Sequence, residues 1–199
     1  MCTNNSMCGS SNNIQCTPQL GPFEAIDAAC ISSPAEIGFV IPFSSGPFPV
    51  LLTSLVSGLP NSVFLLGFGS SVQTTASPII DLSALSGTEA FNVPRAGTIT
   101  SISATFSSLV SATLVGTAQI TAQIYRAPAG SNVFSPTTAL VDLTPTLSTV
   151  SVGTITSGTR NVTPVPVAAG DRLLMVFFVT SSGGIVTLTG NASAGLGKV

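Results

Sequence analysis

Beyond residue 37 the chain almost never runs far enough without a β-branched residue, a glycine or a proline to support a helix. It offers instead short apolar runs and alternations, divided by clusters of Gly, Pro, Ser and Asn, which is the pattern of strands and turns. Strand-like segments are predicted at 38–42, 50–55, 62–67, 89–93, 98–106, 112–125, 147–155, 161–167, 172–180 and 185–192. The exception is EAIDAACI at 24–31, long enough for one or two helical turns. Alternation is clean in places. Ile120, Ala122 and Ile124 point one way while Gln119, Thr121, Gln123 and Tyr125 point the other, and Ile102, Ala104 and Phe106 share a face.

The run LLMVFFV at 173–179 breaks this rule by being apolar on both faces. Such a strand either sits centrally in a sandwich or turns its outer face to another subunit. Its continuation through Ser181-Ser182-Gly183-Gly184 into Ile185 reads as a β-hairpin, because glycine permits the positive φ of such turns. Ten antiparallel strands in one domain of this length suit a jelly roll, the two-sheet Greek-key arrangement. The predicted fold is therefore all-β: a jelly-roll β-sandwich over residues 37–199, preceded by an extended amino-terminal arm over residues 1–36.

Charge then restricts function. Only 6% of the 199 residues are charged, five of them basic and seven acidic, against roughly 25% in an ordinary soluble domain. Five cations cannot build the basic patch that displaces counterions from nucleic acid, and a polybasic membrane anchor fails for the same reason. Histidine is absent, so no step can use it as base or metal ligand, and a Ser/His/Asp triad is excluded. A net charge of −2 gives little repulsion between copies, which favours self-association.

All four cysteines, Cys2, Cys8, Cys16 and Cys30, fall in the first thirty residues. The segment around the first three is rich in Asn, Ser, Thr, Gln and Gly and cannot bury enough apolar surface to order itself. Zinc is disfavoured, because no Cys-x-x-Cys pair or histidine completes a site. Local bridges within the arm remain open in three connectivities. Bridges between subunits account best for cysteines placed outside the domain, so these four are the candidates for intersubunit disulfides. No metal and no cofactor are expected.

The amino terminus has neither a basic region nor an apolar core of the secretory type, so no cleaved signal is expected. Residues 37–80 carry no charge, yet Pro42, Pro47, Pro49 and Pro60 interrupt any helix able to span the roughly 20 residues a membrane requires. No membrane span is expected.

Six strings, taken in order, resemble a known family. They are IPFSSG (41–46), LLGFGSS (65–71), VPRAGTITSISATFS (93–107), TAQITAQIYRAP (117–128), AGDRLLMVF (169–177) and ASAGL (192–196). Together they are similar to the carboxy-terminal domain of the BclB-type exosporium glycoproteins of spore-forming bacteria. The resemblance implies a C1q- or tumour-necrosis-factor-like jelly roll that trimerises on the outermost layer of a spore. The family carries a long collagen-like stalk ahead of this domain, whereas here a short cysteine-bearing arm stands in its place. In layout, though not in its core strings, that arm is similar to the amino-terminal connector of endospore appendage subunits, which links successive subunits covalently.

Catalytic arrangements are thin. Glu24 and Asp27 share a helical face at i,i+3 but read as a solvated first turn. A Ser–Lys dyad would need Lys198, the only lysine. Arg95, Asp171 and Arg172 read as turn contacts or subunit salt bridges. Carbohydrate binding usually stacks sugar on Trp or Tyr, and Tyr125 stands alone. The expected function is a structural, non-enzymatic subunit whose partners are copies of itself, with other spore-surface proteins as further candidates. Rings of jelly rolls would stack through the arm into an extracellular or spore-surface filament. The alternative is a trimeric surface knob or adhesin.

Overall fold

The computed structural model describes residues 38–86 and 88–199. They form β1 (Phe39–Ser44), β2 (Val50–Thr53), β3 (Ser62–Leu66), β4 (Ser71–Thr75), β5 (Ile80–Asp81) and β6 (Phe91–Asn92). These are followed by β7 (Gly97–Ser108), β8 (Ala112–Ala127), β9 (Val133–Asp142), β10 (Leu147–Val150), β11 (Ile155–Val167), β12 (Arg172–Ser181) and β13 (Thr187–Lys198). Helical structure among the described residues is one 3-10 turn, Leu82–Ala84.

The strands make two antiparallel sheets. One runs β1-β13-β7-β11, with β2 continuing β1 along the same edge of β13. The other runs β4-β3-β12-β8-β9-β5, with β6 beside the start of β12 and β10 beside the start of β8. The first strand thus pairs with the last, β3 with β12, β7 with β11 and β8 with β9. This nested pairing, split over two sheets, is the jelly roll that the strand spacing predicts.

Between the sheets lies the main core. Ile41, Phe43, Leu52, Ile99, Ile102, Phe106 and Leu188 meet Phe64, Leu66, Ile120, Ile124, Met175 and Phe177 across it. Ile99 and Ile102 share that core although they are three residues apart. The ladder from β7 to β13 slips between Gly197 and Lys198, and this bulge turns Ile99 back inward.

Apolar residues on both faces of β12 have a structural outlet within the chain itself. Leu173, Met175, Phe177 and Val179 enter the main core, while Leu174 and Val176 enter a second core on the outer face of the sheet. There the segment around β5 crosses over them, adding Ile80, Leu82 and Ala90, with Phe134, Tyr125, Val63 and Leu65 alongside. Burying this outer face within the chain resolves the choice between a central strand and a subunit contact in favour of the former.

Three local expectations need correction. The turn after β12 does not close a hairpin: β12 is flanked by β3 and β8, has no free edge, and hands the chain to β13 in the opposite sheet. The segment 147–155 is two pieces, because residues 151–154 turn between β10 and β11. The last strand runs on to Lys198 through Gly190, Gly195 and Gly197. Gly190 lies under the Phe106 ring and the Ser107 carbonyl, where a Cβ would collide with both. It is a close-approach glycine rather than a turn.

Candidate assembly surface

The four cysteine candidates, Cys2, Cys8, Cys16 and Cys30, lie outside the described residues, as do Glu24 and Asp27. What the described residues display is a marked separation of charge along the strand direction. Seven of their nine charged side chains gather at one end: Asp81, Glu89, Arg95, Arg126, Asp171, Arg172 and Lys198. The other two, Asp142 at the end of β9 and Arg160 within β11, lie opposite Thr121 and Ile102.

At the charged end the ionic groups hold turns. Asp171 accepts the Ala168 N–H at 2.9 Å and faces Arg126 at 3.8 Å, while the Arg126 guanidinium donates to the Pro166 carbonyl at 2.7 Å. Arg172 donates to the Ser131 carbonyl at 3.1 Å and to the Asn132 side chain, and approaches Glu89 at 4.0 Å. Asp81 caps the 3-10 turn by accepting the Ser83 N–H at 2.8 Å, and this bond holds its carboxyl below the usual carboxylate range. Arg95 stacks over the Phe39 ring at 3.8 Å. Buried Lys198 donates to the Arg95 and Ala96 carbonyls at 2.9 and 3.1 Å, so it ties the last strand to the turn before β7. Both acceptors are main-chain carbonyls, which is the geometry of a turn tie. Among the described residues, no three metal-ligating side chains come together. Tyr125 is buried in the outer core, and burial pushes its phenol up, so it offers no open platform for a sugar ring.

Beside these groups, among the described residues, the outer edge of β1 is bridged at Ser44–Phe68 and otherwise carries no ladder. A cleft of about 430 Å³ opens there between Phe39, Val40, Pro42, Phe91 and Pro94, with Arg95 and Lys198 at its wall. Pro42 removes one donor from the free edge, a device that blunts indiscriminate strand pairing.

The opposite end is built from four segments, loops with the strand ends beside them: residues 54–61, 109–116, 151–155 and 181–186. They carry no charged residue. Hydrogen bonds knit them together. Ser181 donates its N–H to the Gly58 carbonyl at 2.9 Å, and Val186 donates to Ser54 Oγ at 2.9 Å. Thr117 donates to Ser182 Oγ at 2.9 Å, Val152 to Ser111 Oγ at 3.2 Å, and Leu109 to the Thr189 carbonyl at 2.8 Å. Gly58 takes φ +84° and lies so close to the Ser181 carbonyl that a Cβ would not fit. On this pinned frame Leu55, Val56, Leu59, Val115 and Ile185 are exposed, and Leu109, Val152 and Ile155 extend the patch. Their exposures lie between 43% and 76%. Isolated exposed apolar residues are ordinary, but a contiguous uncharged cluster marks an interaction surface.

Sequence reasoning saw the charge-free run of residues 37–80 but not this patch, which exists only once four distant loops meet. The arrangement is that of a jelly-roll domain with structural ion pairs at one end and exposed aliphatic side chains at the other. No protein-family model matches the chain, and no curated protein matches it. Among solved structures it is similar to Eiger TNF from S. frugiperda, at 15% identity over 81% of this chain and 92% of that one, with a TM-score of 0.34. It is also similar to a mutant VP2 protein of infectious bursal disease virus, at 13% identity over 91% of this chain and 36% of that one, with a TM-score of 0.39. The assignment as a jelly roll rests on the strand order itself.

Proposed function

We propose that this chain is a structural subunit that assembles with copies of itself, its jelly rolls packing into closed rings and the rings stacking into a filament on a spore or cell surface. The observation that carries the reading is the uncharged apolar end, presented by a domain whose low charge offers little resistance to association. Residues 1–36 would act as the connector between rings, with Cys2, Cys8, Cys16 and Cys30 closing disulfides between subunits after assembly. The reading assigns the chain no catalysis and no cofactor.

A trimeric surface knob is the second reading. It is favoured by the strings similar to the BclB-type domain, which fall on β1, β3, β7, β8, β12 and β13, the strands that frame one core. Deleting residues 1–21 separates the two. A filament subunit then yields soluble small oligomers in place of fibres, whereas a knob keeps its oligomeric state. Replacing all four cysteines with serine is expected to leave rings intact and to make the fibres dissociate at lower temperature or denaturant. Fibres of unchanged resistance would remove the covalent part of the reading.

A further inference from the structure

The two ends of the domain are poor partners for each other. Seating the apolar loops on the opposite end would strip water from the exposed Asp81, Glu89 and Arg95 and the half-exposed Arg126 without giving them new ionic partners, a costly exchange. Seating them on the same loops of another copy desolvates no charge at all. We propose that the uncharged end docks on the uncharged end of a second copy, an isologous contact about a two-fold axis, so that rings meet back to back. This rests on the reading of the chain as self-assembling.

Scale supports a second copy as the occupant. The four loops together supply a residue count comparable to the roughly 20–30 a side of a standard protein interface. They are held by hydrogen bonds to one another, so docking orders little that is loose. A lipid surface fits less well. The loops hold no Trp, Tyr, Lys or Arg to anchor at headgroups, and they interleave Ser57, Ser111, Ser151 and Ser182 with the apolar residues. Those hydroxyls find water or partner groups at a protein interface but not in hydrocarbon. The contact also leaves the other end free. The chain enters the domain at Gly38, against the Lys198 carbonyl, so any link made by the preceding residues starts from the far end.

The test uses the full chain with photoreactive benzoylphenylalanine in place of exposed Val56, cross-linked in solution and mapped by mass spectrometry after chymotryptic digestion. The expected products join residues 54–61 of one copy to residues 54–61, 109–116 or 181–186 of another. In parallel, Val56→Asp with Ile185→Asp is expected to replace fast-sedimenting fibres with short discrete assemblies while leaving the circular dichroism unchanged. Cross-links from Val56 to residues 128–132 or 168–172 of another copy, both at the charged end, would overturn the back-to-back contact and leave self-association standing. A wild-type chain that stays monomeric would overturn both. Flotation with neutral phosphatidylcholine vesicles, lost in the double variant, would assign the end to lipid and overturn the proposal.

Discussion

Tyr125 and Thr156 show how single side chains report on this fold. Tyr125 is the only tyrosine, and the chain has no tryptophan, so phenolate absorbance near 295 nm reads this group alone. Burial raises its pKa above the usual 10.0, meaning that the folded state holds the phenolic proton more tightly than the unfolded chain. The stability this contributes is complete below pH 10 and is lost as pH rises through the folded-state value. Phenolate absorbance is therefore expected to rise at higher pH in the native protein than in the same protein in guanidinium. Coincident curves would show the phenol to be solvated. Thr156 buries its hydroxyl against the main core with no hydrogen-bond partner among the described residues. Thr156→Val removes that polar group at nearly constant shape and is expected to add about 1 kcal/mol, or roughly 2–4 °C in Tm at this size. A lower Tm in calorimetry would show that the hydroxyl is satisfied. Neither effect is legible in the sequence, because alternation tells which way a residue points and not what meets it.

At the scale of elements, legibility followed amphipathicity. The alternation of β8 is borne out: Ile120, Ala122 and Ile124 enter the core, while Gln119, Thr121 and Gln123 bond to β9 and the residues that follow it. The strands missed by sequence reasoning lack such a signal. β4 is SVQTT, nearly all polar, and β9 carries Pro136 within it. β11 begins earlier than predicted, at Ile155, and runs through Gly158, where it passes close to the Asp142 carbonyl. The double-faced β12 reads in sequence as either central or turned to another subunit, and its cover, the segment around β5, escaped notice because Pro78, Asp81 and Ser83 break Ile79, Ile80, Leu82 and Leu85 into a run with no strand period. That cover gives a prediction. Ile80→Ala removes a buried side chain from the outer core and is expected to cost about 2–5 kcal/mol. Binding of a hydrophobic dye should rise as Leu174 and Val176 lose their cover. A change under 0.5 kcal/mol by denaturant titration would show that the segment does not seal the sheet.

The whole molecule is organised by the contrast between its ends. Ion pairs and main-chain ties fix the end where the chain enters and leaves the described fold, and four uncharged loops expose aliphatic side chains at the other. Charge depletion was visible in composition, but its concentration at one end depends on pairings such as β12 with β8 that bring residues far apart in sequence together. Association through such a face is hydrophobic, so it should persist at 1 M salt, where charge–charge contacts are screened within about 3 Å. Negative-stain electron microscopy of the purified full-length chain tests the central claim most directly. Stacked rings or regular fibres are the predicted result; dispersed single domains, or isolated trimers that never stack, would contradict it.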